Sequence, residues 1–290
     1  MKNYDHICFI GGDERQRYAA EMLADHIKIH AVGKTFEDIK NPSVINFENP
    51  NKAMYEAKAV VLPIPAAVSE GIIPFTDLVE NIIRSDSAIH LLGGKFSPYL
   101  KGIIMSSEVK YYDYYEDEIF TIKNAYLTAE GALQLAMSSI KGSIRQAKCA
   151  IVGYGRIGRA LGEMLKAIGA NTTVFARKEE MLVWAEHTGL SVNKIVPGKE
   201  SSLEVLSEFD IVFNTVPERI ITNEILLGIT SKTLLIELAS PPGGFDPDIA
   251  EQCEVNFIKA GGLPGKYAPM TAGRIVGETI VKFLKKEGIL

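Results

Sequence analysis

The sequence predicts an α/β protein made of two doubly wound parallel-sheet domains with a cleft between them. Three observations carry this expectation. Apolar runs of strand length alternate with helix-spaced segments from His6 onward, the alternation stops near Glu116, and it restarts at Ala147. A chain of 290 residues is also long enough for two domains that each bury a core. The expected division is 1–118 for the first domain, 119–146 for a linking helix, 147–271 for the second domain, and 272–290 for a C-terminal helix packing back on the first.

In the first domain, His6–Ile10 is an apolar run closed by Gly11-Gly12. Arg15–Ile27 then places Tyr18, Met22, Leu23 and Ile27 on one side of a helix. Ile29–Val32, Val44–Phe47, Ala59–Leu62, Ala88–Leu92 and Val109–Tyr112 read as further strands, with helices over Asn51–Lys58 and Phe75–Arg84. Two strands end in the loop signals Pro63-Ile64-Pro65 and Gly93-Gly94. Ligands of such sheets collect beyond the carboxyl ends of strands, so these loops are expected to face the cleft. Glu116–Lys141 is helix-compatible and forms the link. Within it, the Thr128 to Gly131 step reads as an N-cap, with a place on the cleft floor as the alternative.

In the second domain the strands are Cys149–Val152, Thr172–Phe175, Ile211–Asn214, Leu234–Leu238 and Val255–Ile258. The last helix, Ala272–Lys286, has Ile275, Val276, Ile280, Phe283 and Leu284 on its apolar face. Beyond the shared β/α rhythm there is no internal repeat to assert.

Composition narrows the function classes. Hydrophobic residues make up 47% and charged residues 23%, an ordinary soluble balance. The net charge of −5 argues against a nucleic-acid surface. The start of the chain lacks a signal-peptide h-region, and no apolar run is long enough to span a bilayer, so a cytoplasmic location is expected. Cys8, Cys149 and Cys253 are odd in number and far apart, and read as small buried hydrophobes. His26 and His30 are four apart, but Lys28–Val32 reads as a strand, so no metal site is expected.

The strongest chemical signal is Lys148-Cys-Ala-Ile-Val-Gly153-Tyr154-Gly155-Arg156-Ile157-Gly158-Arg-Ala-Leu-Gly162. A lone G-x-G-x-x-G is weak, but here it follows an apolar strand and opens a helix, and a second strand follows. Gly153 serves the tight turn, Gly155 lets backbone approach a pyrophosphate, and Gly158 lets helix and strand pack closely. The diphosphate would meet free N–H groups at the positive end of the helix dipole. This is the fingerprint of a Rossmann dinucleotide-binding domain. At the end of the second strand, Val174-Phe175-Ala176-Arg177-Lys178 carries no acid before Glu179. A carboxylate there would accept from a ribose 2′-OH, whereas Arg177 and Lys178 suit a 2′-phosphate. NADP (NADPH) is therefore the expected cofactor; the alternative is a pair of solvated cations. Asn214-Thr215-Val216-Pro217 ends the next major strand and is expected beside the nicotinamide ribose.

The second half resembles the cofactor domain of the D-2-hydroxyacid dehydrogenases. That family places a substrate-binding Arg after the fourth strand and an acid/base His later. The matching segments here, Ile236-Glu-Leu238-Ala239-Ser240-Pro-Pro-Gly-Gly-Phe-Asp246 and Gly261-Gly-Leu-Pro-Gly-Lys266-Tyr267-Ala-Pro-Met270-Thr271-Ala-Gly273, hold no Arg and no His. Oxidation of a carbinol normally needs a base on the hydroxyl proton. These two segments, with Gly11-Gly-Asp-Glu-Arg15-Gln16 and the glycine fingerprint, are similar over the full length to the dipicolinate synthase A-subunit family of spore-forming bacteria. The resemblance implies oxidation of a dihydrodipicolinate-type ring to pyridine-2,6-dicarboxylate during sporulation, from the diaminopimelate branch of lysine synthesis. It also implies a flavoprotein-like dipicolinate synthase B-subunit as partner. Self-association into a homo-oligomer is expected as well. Hydride loss from such a ring is driven by aromatisation, which suits the missing His.

A small dicarboxylate substrate needs cations and backbone donors. Arg15 is the first candidate clamp and Lys95, after Gly93-Gly94, the second; each has a solvated surface cation as its alternative. Ser240 is a candidate donor to a carboxylate or ring nitrogen, and Lys266 and Tyr267 are candidates for substrate contact. Leu238, Ala239, Met270 and Thr271 are placed along the cofactor pocket. Asp246 reads as a helix cap, and Tyr111, Tyr112, Tyr114 and Tyr115 as a packing cluster at the domain junction. Two other readings stay open: a 2-ketoacid or 2-hydroxyacid dehydrogenase, and a non-catalytic, regulatory NADPH-binding protein.

Overall fold

Parallel sheets are covered on both faces, so their strands need to be apolar on both sides. In this computed structural model the apolar runs form two such sheets, each six-stranded and all-parallel. The structure describes residues 6–66, 82, 89–196 and 200–290. Two units result, Met1–Asn124 with Ala268–Leu290, and Ala125–Tyr267.

Along the chain, the first unit runs β1 (His6–Ile10), α1 (Glu14–Leu23), β2 (Lys28–Val32), β3 (Val44–Asn46), α2 (Pro50–Met54), β4 (Ala59–Val61), β5 (His90–Gly93), α3 (Pro98–Met105) and β6 (Lys110–Asp113). The long helix α4 (Glu118–Ser139) carries the chain onward. The second unit runs β7 (Lys148–Val152), α5 (Arg156–Ile168), β8 (Asn171–Ala176), α6 (Glu179–His187), β9 (Ser191–Lys194), β10 (Ile211–Asn214), α7 (Asn223–Gly228), β11 (Leu234–Glu237), α8 (Pro247–Gln252), β12 (Phe257–Lys259) and α9 (Leu263–Tyr267). The last helix, α10 (Pro269–Lys286), belongs to the first unit and packs along α1.

The sheet orders are β3-β2-β1-β4-β5-β6 and β12-β11-β10-β7-β8-β9, so both units share one doubly wound topology. In such sheets the chain reverses its direction of travel at a crevice, here between β1 and β4 and between β7 and β10, where ligands bind. All five residues of β1 are buried, as are Cys149, Ala150, Ile151 and Val152 of β7. Cys8 and Cys149 are free thiols, and burial pushes the Cys149 thiol up to about 12.

Some elements differ from expectation. Thr128 lies inside the uninterrupted α4, so it caps nothing. The helix expected over Asn51–Lys58 spans only Pro50–Met54, capped by the Asn49 side chain. The glycine- and proline-bearing stretch after β12, for which no helix was expected, contains a short one at Leu263–Tyr267. β9 joins the edge of the second sheet although Ser191-Val-Asn-Lys194 carries almost no apolar signal. The helix expected at Phe75–Arg84 lies outside the described residues, apart from the buried Ile82.

The start of α4 is held by one carboxylate. Asp117 accepts from the Ile119 and Phe120 N–H groups at 2.9 and 3.1 Å, from the Tyr112 hydroxyl at 2.8 Å, and from Lys282 of α10 at 2.7 Å. Burial alone would raise its carboxyl, but the bonds from Lys282, Tyr112 and Phe120 outweigh it and hold it at about 2. Around it, Tyr112 stacks on Phe283, and Tyr114 and Tyr115 pack on Phe120. The tyrosine run is packing, with the Tyr114 ring fully buried. Asp117→Ala is expected to lower stability by roughly 2 kcal/mol, since a cap and the Tyr112 acceptor are both lost. A carboxyl depressed in the folded state supplies stability above its ordinary 3.8 and loses it as pH falls toward about 2. Melting temperatures of wild type and variant, followed by calorimetry, are therefore expected to converge across that acid window.

Candidate functional site

The first turn after β7 has the features a diphosphate requires. Gly153 takes φ +94°, a left-handed value that a side chain disfavours, and a Cβ on Gly158 would collide with the Gly153 carbonyl oxygen. The N-cap of α5 is Gly155, which gives no side-chain cap, and no atom comes within 4 Å of where its Cβ would stand. The helix end therefore has backbone donors and open space, a cradle that a dinucleotide diphosphate fits. The equivalent turn of the first unit is closed. There Asp13 caps α1 by accepting from the Arg15 N–H, and the Gln16 side chain accepts from the Asp13 N–H. A carboxylate already occupies that positive end.

The other candidates around the open turn divide by placement. Arg156 is exposed at the first position of α5, and Ile157 packs against the core. Tyr154 is turned inward, 4% exposed, with its hydroxyl 3.0 Å from that of Thr188, so only its backbone faces the turn. The Thr215 hydroxyl donates to the Val152 carbonyl at 3.0 Å instead of pointing outward, and Val216 backs Gly153. Pro217 is exposed, Leu238 is buried, and Ala239 is part-buried. Met270 and Thr271 stand in the first turn of α10 and so belong to the first unit.

At the end of β8, Arg177 and Lys178 are both exposed, but Arg177 is not a lone cation. Its two terminal nitrogens meet the two carboxylate oxygens of Glu218 at 2.8 and 2.9 Å. Glu179 is paired with Lys194 at 2.5 Å. The partner of Arg177 lies 41 residues away along the chain.

Glu237, at the end of β11, carries no mark in the sequence, where it stands as one more residue of the strand expected over Leu234–Leu238. Its carboxylate accepts from the Asn214 side chain at 2.7 Å, from the Ala239 N–H at 2.9 Å and from the Gly244 N–H at 2.8 Å. The fully buried Asn214 also bonds the backbone of Val216 in both directions, at 2.9 and 3.2 Å. One carboxylate thus ties the 239–244 loop, which carries the exposed Ser240, to the 214–216 turn. Burial raises the Glu237 carboxyl above its usual 4.5, more than the bonds from Gly244, Asn214 and Ala239 lower it. A carboxyl raised in this way gives up stability as pH climbs past its ordinary value, so the chain holds this loop at a cost. Asp246 caps α8 through the Asp248 N–H and also pairs with Arg219.

In the first unit, candidates gather at the carboxyl end of the sheet. The Arg15 guanidinium is buried. It spends itself on Asp13, at 2.8 to 3.1 Å, and on the Ile64 carbonyl at 2.7 Å, across the crevice between β1 and β4. It is therefore not the open clamp expected of it. Gly94 is packed between Ile64 and Tyr115. Lys95 takes a left-handed φ of 58°, its N–H held by Asp113 at 2.9 Å, and its ammonium lies 5.1 Å from the Tyr115 ring centre. Partial desolvation of that end, and then the Arg15 charge, push the Lys95 amine down. Gln16, fully buried beside Arg15, keeps an amide nitrogen with no hydrogen-bond partner among the described residues. Only its place in a capping box marks it in the sequence. Lys266 is exposed in α9, and Tyr267 is 36% exposed.

Residues 6–115 match the family of the dipicolinate synthase A-subunit N-terminal domain. The chain is also 30% identical over 290 residues to the dipicolinate synthase A-subunit of Bacillus subtilis (strain 168), covering 96% of this chain and 95% of that protein. This chain belongs to the dipicolinate synthase A-subunit family. Residues 120–239 match the D-isomer specific 2-hydroxyacid dehydrogenase, NAD binding domain family, which makes the second unit a nicotinamide-cofactor domain and the chain oxidoreductase-like. The crystal structure of the dipicolinate synthase A-subunit from Bacillus halodurans superposes with a TM-score of 0.85 at 29% identity, covering 97% of this chain and 98% of that one. A transhydrogenase from Sinorhizobium meliloti, at 13% identity, 0.71 TM-score and coverage of 97% of this chain and 94% of that one, shares the fold alone. No helix among the described residues is long and apolar enough to cross a membrane.

Glu237→Leu would strand three donors at once, and chemical denaturation of the whole chain is expected to show a loss of roughly 3 kcal/mol. Glu237→Gln keeps an acceptor and is expected to lose less than half of that. Equal losses in the two variants would point to packing instead of hydrogen bonding.

Proposed function

We propose that this chain is the NADP(H)-dependent oxidoreductase component of a dipicolinate synthase, oxidising a dihydrodipicolinate-type ring to pyridine-2,6-dicarboxylate in sporulation, with a flavoprotein-like B-subunit as partner. The observation that carries the reading is the open N-terminus of α5 in a chain whose relatives are dipicolinate synthase A-subunits. When bound, an oxidised nicotinamide supplies the hydride acceptor. The ring loses one hydride to that acceptor and one proton to a carboxylate, a water or a modest base, and aromatisation drives both losses.

The chain's own residues bind and orient. Gly153, Gly155 and Gly158 give the diphosphate its close approach, and Arg177 with Lys178 gives a 2′-phosphate two cations. Glu237 and Asn214 keep the 214–216 turn and the Ser240 loop in one arrangement, which a positioned reaction requires. Lys95, exposed in the loop after β5 with the Arg15 charge acting on it, offers a substrate carboxylate its ammonium. The Gln16 amide nitrogen, without a partner among the described residues, lies next to Arg15 in α1.

The direct test mixes this chain, the B-subunit, NADP and a freshly generated lysine-pathway precursor, and follows the ultraviolet spectrum of the pyridine dicarboxylate. Product is expected with the wild type. Lys95→Met is expected to cut kcat/KM by about a hundredfold, the upper scale of one charge-assisted contact, with Lys95→Arg partly restoring it. No product with any partner combination would reject the reading. A separate binding measurement addresses the cofactor: Arg177→Asp is expected to weaken NADPH at least tenfold more than NADH, and equal losses would remove the 2′-phosphate assignment.

A further inference from the structure

We infer that Glu218 is a built-in competitor for the 2′-phosphate of the cofactor, setting how strongly the second unit prefers NADPH to NADH. The inference rests on the reading of Arg177 as the 2′-phosphate residue. A guanidinium recognises carboxylate and phosphate with the same fork, two parallel N–H···O bonds. Glu218 already fills that fork on Arg177, at 2.8 and 2.9 Å. A phosphate monoester using the same fork has to displace the carboxylate.

The neighbouring charges leave Glu218 as the group that matters. Glu179, two residues after Arg177, is neutralised by Lys194, and Arg219 is drawn to Asp246. Lys178 is exposed beside Arg177. Both members of the Arg177–Glu218 pair are about half exposed, at 43% and 56% of the side chain, so the pair is weak enough to open. Opening it leaves the carboxylate charge close to an incoming dianionic phosphate, which adds repulsion. NADH carries no 2′-phosphate and has nothing to contest. Glu218 thus lowers the affinity for one cofactor selectively.

The test uses the whole chain and measures NADPH and NADH dissociation constants by reduced-nicotinamide fluorescence, which needs no substrate or partner. Glu218→Gln removes the charge and keeps the shape. It is expected to raise the NADPH/NADH affinity ratio by roughly two- to fivefold, the scale of a surface ion pair. In the Arg177→Ala background the same substitution is expected to change the ratio less than twofold, because the contest has lost its object. An unchanged ratio in Glu218→Gln would overturn the inference. So would weaker NADPH binding, which would make Glu218 a positioning group, or weaker NADH binding, which would make it a ribose acceptor. If Arg177→Ala alone leaves the NADPH/NADH ratio intact, the 2′-phosphate reading itself fails, an outcome distinct from failure of the Glu218 role.

Discussion

The glycine-capped start of α5, with open space at Gly155, is the feature on which the functional architecture depends. A helix end needs its first donors satisfied, and a chain satisfies them with a side chain or leaves them for a ligand. Two helices occupy the same position in two sheets of identical strand order, and they make opposite choices. At α1 an aspartate cap and a glutamine close the end from within. At α5 a glycine stands at the cap, and the space above it is open. The difference of one carboxylate decides which sheet holds a phosphate-bearing cofactor and which is left for other work.

The fold was legible because its signals are local. A run such as Cys149–Val152, buried on both faces, has no other use than a central parallel strand, and glycines at 153, 155 and 158 have few structural reasons to recur at that spacing. Edge elements were harder. Ser191–Lys194 is a strand by virtue of its neighbour β8, with too little apolar content to announce itself. Leu263–Tyr267 contains a proline and a glycine and reads as a loop, yet it is a short helix.

Side-chain pairing was the least legible layer, because the partner of a charged group is fixed by distant sequence. Arg15 and Arg177 both stand at strand ends, as their positions in the sequence imply. The structure adds that Asp13 and Ile64 absorb one guanidinium and that Glu218 absorbs the other. Glu237 shows the converse. Its position looks unremarkable in one dimension, yet it gathers donors from two segments, at 214 and at 239 and 244. Each of these pairings joins a loop to the strand end next to it, and no period or motif encodes such a bond.

The return of α10 to α1 makes the first unit discontinuous in sequence, with the whole of the second unit inserted between its parts. On the ribosome this reverses the usual order, in which domains finish from the N-terminus onward. Residues 125–267 emerge as a continuous stretch and are free to fold as a block. The earlier strands must wait, with the apolar flank of α1 uncovered, until residues 268–290 have been made. During synthesis that flank stays open to solvent until the last helix arrives to cover it.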